Sequence, residues 1–179
     1  MEKIKILQDK EKLYTFLKDS YLSILKEKRF IYLNISGFSM YPFIKKGDKI
    51  KVVFLSGDNL SIGDIFLIDG ESNLYVHRLV KIINKKDKKM YITKGDAHKN
   101  ILDPVVDLKK ILGRVVEIKR DNLSINLDGK FYRFINRILG FISFRYPKII
   151  PFFSRYIDFI VNKMFIFISK IKKVEIFQN

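Results

Sequence analysis

Residues 36–42 read SGFSMYP and are followed by Gly47-Asp48, which gives the chain its clearest landmark. Clusters of glycine, serine and proline form turns, so Ser39 has a simple explanation as a turn hydroxyl. A serine hydroxyl is also a nucleophile if a base lies within hydrogen-bonding reach and a third group holds that base in place. The role of Ser39 therefore depends on what the rest of the chain supplies.

Two later stretches supply such partners. Residues 74–80 read LYVHRLV and contain His77, and residues 91–104 read YITKGDAHKNILDP and contain Asp96 and Asp103. Histidine suits the role of base because its reference pKa of about 6.5 lies near the operating pH, whereas a lysine would need a large downward pKa shift. Taken singly, His77 could be a half-buried strand residue and the aspartates turn formers. Taken together, the three stretches favour a serine–histidine–aspartate site.

These stretches resemble the signal peptidase I-like serine peptidases of the serine–histidine type, the branch of the endoplasmic reticulum, the archaea and some Gram-positive bacteria. The Gly-x-Ser-Met-x-Pro signature surrounds Ser39, and His77 stands directly before an arginine, where most bacterial members carry a lysine base. Residues 94–96 (KGD) with a second aspartate at position 103, and residues 111–116 (ILGRVV), resemble later segments of the same family. The resemblance covers roughly residues 31 to 120.

The resemblance implies a serine endopeptidase that cleaves a signal or leader peptide from a precursor, without a cofactor or metal. Ser39 would be the nucleophile and His77 the general base. Asp103 is favoured as the residue that orients His77, because the second aspartate of its segment has that role in the branch. Asp96 is the other candidate, and its structural alternative is to cap the turn after Gly95.

The Ser39 backbone N–H is the first expected donor to the oxyanion. Some relatives carry a second serine hydroxyl two residues before the nucleophile, but that position is Gly37 here, which leaves Ser36 as a candidate. The substrate is expected to add as a strand to an exposed sheet edge. The residues predicted to line its groove are Phe38, Met40 and Tyr75.

Other polar residues of these stretches have plainer interpretations. His98 is interpreted as a solvated loop residue and as only a second candidate for the base, and Lys94 is assigned a structural role. The chain contains no cysteine, which excludes thiol catalysis, thiolate metal sites and disulfides.

Composition limits the partners. A chain of 179 residues that is 47% hydrophobic can bury one core, so we expect a single domain with appendages. The net charge of +16 suits nucleic acid or an anionic membrane surface. Aromatic residues set among cations favour the membrane, and no nucleic-acid partner is expected. The phenylalanines of this pattern are Phe131, Phe134, Phe141, Phe144, Phe152, Phe153, Phe159, Phe165 and Phe167.

The chain divides into three predicted parts. Residues 1–30 form an amphipathic helix without the continuous apolar run of a secretory signal or a span, whereas the family usually has a transmembrane helix there. Residues 31–128 form a mainly β catalytic domain of antiparallel ribbons, because β-branched runs alternate with Gly-Asp turns. Residues 129–179 form a basic, aromatic helical tail.

The tail predicts peripheral membrane association. Residues 149–169 are apolar enough to raise the question of a span, but Arg155, Asp158 and Lys163 oppose it, since a charge at the bilayer centre costs about 3 kcal/mol. A helix lying on the surface is favoured. A packed or oligomerising helix, a true span, and a soluble arrangement with phenylalanines covering the sheet are the alternatives.

Two other classes of function stay open. Self-cleaving repressors share the Ser-Met signature, although no helix-turn-helix precedes residue 31 and histidine occupies the lysine position. A non-catalytic basic module that binds membrane or nucleic acid would show strong salt dependence and no hydrolysis.

Overall fold

The computed structural model describes residues 2–55, 57, 60–70, 72–85 and 88–176, with side chains described between residues 9 and 167. Within these ranges one long helix precedes a seven-stranded sheet, and three helices follow it. The elements are α1 (Glu2–Lys28), β1 (Phe30–Asn34), β2 (Lys49–Val53), β3 (Ile65–Asp69), β4 (Leu74–Lys85), β5 (Lys88–Lys94), β6 (Ile111–Arg120), β7 (Leu123–Asn126), α2 (Lys130–Arg145), α3 (Ile149–Phe152) and α4 (Ser154–Ile176).

The sheet is antiparallel, with strand order β1-β2-β6-β3-β4-β5 and β7 paired to β6. Strand β3 lies between β4 and β6 and is buried on both faces at Ile65–Ile68, because Ile65 and Leu67 pack into one hydrophobic cluster and Phe66 and Ile68 into another. The predicted antiparallel middle of the chain is therefore confirmed. The description of the chain as mainly β holds only in part, since long helices flank the sheet at both ends.

Strand β4 brings the histidine stretch and the KGD stretch side by side. His77 is opposite Phe66 of β3, and on the other side Arg78 is opposite Lys94 at the end of β5. The chain leaves β5 at Gly95 and Asp96 and then returns, because the Asp103 N–H donates to the carbonyl of Thr93 at 2.9 Å. This return places residues 95–103 beside the middle of β4.

The loop between β1 and β2 carries Ser39. Backbone hydrogen bonds close its base, from Ile35 N–H to the Asp48 carbonyl and from Gly47 N–H to the Ile35 carbonyl, both at 2.8 Å. Gly47 has φ of 93°, a conformation that favours glycine, which explains the Gly-Asp pair after the serine stretch. The Asp48 side chain also forms a two-point ion pair with Arg120.

The flanking helices join the core to different extents. Leu25 of α1 and Val161 and Phe165 of α4 are buried in the main hydrophobic cluster. Helix α2 instead packs on β4 and on the turn at Gly63 through small or polar residues, Asn136, Gly140 and Ser143. None of the helices in the described part of the chain combines the length and the apolar character needed to cross a membrane.

Candidate active site

His77 and Asp103 form a short, nearly buried hydrogen-bonded pair. Nδ1 of His77 lies 2.6 Å from Oδ2 of Asp103, and the two side chains are 8% and 10% exposed. The hydroxyl of Thr93 donates to the same carboxylate oxygen at 2.6 Å, so Asp103 is held by its side chain and by its backbone N–H. Because a carboxylate accepts hydrogen bonds, the neutral tautomer of His77 that fits this pair carries its proton on Nδ1 and its lone pair on Nε2.

The Ser39 loop meets this pair at Gly95. The Ser39 carbonyl accepts a hydrogen bond from Ala97 N–H at 2.8 Å, which anchors the loop to the segment after β5. A methyl group at Gly95 would lie 2.7 Å from the Ser39 carbonyl oxygen and 3.0 Å from His77 Nε2. The serine backbone and the free nitrogen of the histidine therefore border one small space, which any larger residue at position 95 would fill.

Ser39, His77 and Asp103 line the same cavity, whose volume is about 820 Å³. Among the described residues, no hydrogen bond joins the Ser39 hydroxyl to His77. Catalytic hydrogen bonds are often long or poorly aligned in enzymes without substrate, so the pairing of Ser39 with His77 is inferred from the cavity that both line. Ser36 and Gly37 also line the cavity, which keeps Ser36 beside the serine as the second oxyanion candidate.

Two of the three predicted substrate contacts lie in this cavity. Met40 is buried in its wall, and the Tyr75 ring lies against His77 with 4.8 Å between ring centroids. Burial, and then the negative charge of Asp103, raise the pKa of Tyr75 to about 12, so its hydroxyl stays protonated. The structure does not place Phe38 there. Its side chain is 64% exposed in a separate shallow pocket, where Lys46 lies over its ring.

Asp96 faces away from the histidine. Its carboxylate accepts two hydrogen bonds from Arg78, at 2.9 and 2.7 Å, and both side chains are fully buried. Arg78 donates its remaining bonds to the Gly63 carbonyl and to Asn136 of α2. Of the two candidate aspartates, the structure brings Asp103 to His77 and uses Asp96 to neutralise a buried arginine.

Lys94 also points away from Ser39. Its ammonium group donates to the Ser143 hydroxyl at 3.1 Å and is fully buried under α2. Desolvation lowers the pKa of Lys94, and the neighbouring Asp96 charge opposes that shift. The side chain therefore has a structural position, as its sequence context predicted.

Thr93 has a role that the sequence did not indicate, and His98 has other surroundings than the sequence indicated. Thr93 steadies Asp103, and its only sequence signal is its position two residues before Gly95 on the same strand edge. His98 is half-buried against His77, with ring centroids 5.3 Å apart at 88°, so its interpretation as a solvated residue is wrong. The backbone turn from Gly95 to His98, closed by a 3.0 Å hydrogen bond, directs this ring inward.

A comparison with models of known protein families gave no match, and a search of curated proteins found no similar sequence. The function is therefore inferred from the residues of this chain and their geometry.

Proposed function

We propose that this chain is a serine endopeptidase with a signal-peptidase-like catalytic fold, in which Ser39 is the nucleophile, His77 the base and Asp103 its orienting group. The observation that carries the proposal is the 2.6 Å pair of His77 and Asp103, whose free Nε2 borders the cavity that Ser39 lines. The arrangement supplies the carboxylate of Asp103, the imidazole of His77 and the hydroxyl of Ser39, which are the three groups that acyl transfer by a serine requires.

The chemistry follows from these positions. The Ser39 hydroxyl attacks the carbonyl carbon of the scissile peptide as His77 Nε2 takes its proton, and the Asp103 carboxylate stabilises the resulting imidazolium. The Ser39 N–H donates to the oxyanion. The imidazolium then protonates the leaving amine, and a water molecule, activated by the same nitrogen, releases the acyl group from Ser39.

An extended peptide fits the cavity. Strand β1 pairs only with β2 within the sheet, and residues 33–35 at its end line one wall. Residues 69 and 70 and 73–77, from the end of β3 through the first part of β4, line the opposite wall. A peptide laid between these walls can hydrogen-bond as an added strand while its side chains enter the space beside Met40. The family resemblance suggests small side chains before the cut.

The outer face of α2 supports a peripheral membrane position for this enzyme. Its buried residues are polar or small, whereas an exposed apolar stripe follows helical spacing on the other side. Phe131, Phe134 and Phe141 of that stripe are each 62% exposed, and exposed arginines and Lys130 flank them. An apolar stripe with cationic borders suits the interface of an anionic bilayer, where the charge of +16 adds attraction.

The tail phenylalanines as a group agree with this position. Phe165 is buried in the core, but the other eight are exposed, from 37% at Phe144 to 79% at Phe152. The soluble alternative, in which these rings cover the sheet, therefore accounts for Phe165 alone.

The test of the proposal is digestion of a library of peptides that carry diverse short motifs, with the products identified by mass spectrometry. The full chain should cut after small side chains, and Ser39→Ala, purified in parallel, should produce none of those cuts. Equal cutting by both proteins would show a contaminating protease. If neither protein cuts and both bind anionic vesicles, the non-catalytic binding module is the better description.

A further inference from the structure

The two histidines of the chain face a common space. A methyl group at Gly95 would lie 3.0 Å from Nε2 of His77 and 3.0 Å from Nδ1 of His98. The absence of a side chain at Gly95 leaves that space to the two ring nitrogens. Within the described part of the chain, His77, His98 and Asp103 also form a group whose ligand atoms lie within 4.8 Å of one another.

A second observation distinguishes this space from ordinary packing. Nδ1 of His98 is buried and has no hydrogen-bond partner, the one such side-chain atom among the described residues. A buried polar atom without a partner costs about 1–3 kcal/mol, so it is rare in folded proteins unless it serves a ligand. Here the unpartnered nitrogen borders the same space as Nε2 of His77, the ring nitrogen that Asp103 does not contact.

We propose that His77 Nε2 and His98 Nδ1 bind a transition-metal dication of the Zn²⁺ class, with solvent from the cavity in the remaining coordination positions. Neutral imidazoles are common ligands of Zn²⁺, at about 2.0–2.1 Å, and the ion favours tetrahedral sites. Asp103 takes the supporting role, because a carboxylate on the other ring nitrogen fixes the tautomer and orientation of a metal-bound histidine. No hydrogen bond with a described residue restrains Nδ1 of His98, so this ring is able to turn towards a shared ion.

The consequence for the enzyme is inhibition. A dication on Nε2 occupies the lone pair that accepts the Ser39 proton, so the bound form cannot activate the serine. This consequence depends on the proposed function, whereas the metal site does not.

The binding test uses the fact that the chain contains only two histidines. In protein without a polyhistidine tag, labelled with ¹⁵N at histidine, Zn²⁺ should shift both imidazole signals with one midpoint and a stoichiometry of one ion per chain. His98→Phe, which keeps a ring against His77, should lose this saturable binding. Asp103→Asn should weaken it by about 10- to 100-fold. Separate midpoints, a response of His77 alone, or unchanged signals at Zn²⁺ excess would overturn the proposal.

A second measurement separates the metal site from the peptidase. If the library digestion shows cleavage, Zn²⁺ should suppress the wild-type rate, with half-suppression at the concentration found in the titration. The ratio of rates with and without Zn²⁺ should be close to one for His98→Phe, whatever its basal rate. Equal suppression of both proteins would contradict inhibition through this site. If no cleavage is found, the imidazole titration still decides the metal site by itself.

Discussion

Arg78 and Asp96 form a fully buried, two-point ion pair directly after the His77 and Gly95 positions that border the candidate active site. The pair is bonded in turn to the Gly63 carbonyl and to Asn136, so it also fastens α2 to the sheet. Each nitrogen of the Arg78 guanidinium donates at least one hydrogen bond, and a buried charge needs such partners as well as a counter-charge. The pair is therefore structural support next to the candidate active site, and neither side chain lines its cavity.

Removal of one member of the Arg78–Asp96 pair should greatly lower the free energy of unfolding. Asp96→Asn leaves the guanidinium without a counter-charge, and such a loss costs about 3–5 kcal/mol. Urea denaturation should show that drop in the free energy of unfolding, with less loss in a double variant, Arg78→Met with Asp96→Leu. An Asp96→Asn protein of normal stability but without activity would mean that Asp96, and not Asp103, orients the histidine.

Asp103→Asn should have the opposite profile, with a lower rate and an intact fold. An amide can hold the wrong histidine tautomer, a change that lowers kcat by about 10⁴-fold in triads of this kind. Thr93→Val removes one hydrogen bond to the carboxylate, worth about 1.5–3 kcal/mol, so the rate should fall by at most about 10- to 150-fold. Cleavage rates of the two variants on one library peptide, with circular dichroism as the control for folding, test this order. A Thr93→Val defect as large as that of Asp103→Asn would contradict it.

Lys94→Met should retain cleavage, because the Lys94 ammonium group donates to Ser143 and, in the part of the chain that the structure describes, has no hydrogen bond to Ser39. His77→Gln, assayed on the same peptide, should abolish cleavage. If Lys94→Met were inactive while folded, the lysine would have to be a base after all.

Lys94 should also give stability a measurable pH dependence. Burial lowers the pKa of Lys94, so between that lowered pKa and the unfolded value of about 10.4 the folded chain binds fewer protons than the unfolded chain. The free-energy cost of burying a charged Lys94 is fully present at a pH below the lowered pKa and disappears at a pH above about 10.4. The free energy of unfolding of the wild type, relative to Lys94→Met, should therefore rise as the pH is raised towards 10. A flat difference between the two proteins would contradict this account.

Changing Phe131, Phe134 and Phe141 together to serine should release the protein from anionic vesicles without affecting the core, because all three rings are exposed. Sedimentation with vesicles measures the bound fraction. A matched control changes three exposed apolar residues of α1, Leu13, Phe16 and Leu17, and should stay bound. Binding of the wild type should weaken as ionic strength rises, because salt screens the surface charges. Binding that resists salt and alkaline washing would indicate a true span, and release of the α1 control would move the membrane contact to α1.

The sequence predicted the strands well because runs of β-branched and other apolar residues between turns are a local property, as in residues 65–68 and 111–118. Asp103 could be favoured over Asp96 only by resemblance. The different positions of the two carboxylates depend on the backbone return that bonds Asp103 to Thr93. The prediction failed for Phe38 and His98 because the direction of a side chain in a loop is set by tertiary contacts. Gly95 admits the His98 ring beside His77, and the turn at residues 39–44 sends Phe38 outward.

Activation of the side chain at position 39 by His77 can be measured directly, because the chain contains no native cysteine. Ser39→Cys introduces a single thiol, whose alkylation by iodoacetamide can be followed against pH without any substrate. Close to the His77 imidazole, the thiolate should form well below the usual pKa of about 8.5. The shift should vanish when His77→Gln is added, and Ser36→Cys, in the same loop, serves as the accessible control. A Ser39→Cys profile that matches Ser36→Cys and does not change with His77→Gln would contradict the account.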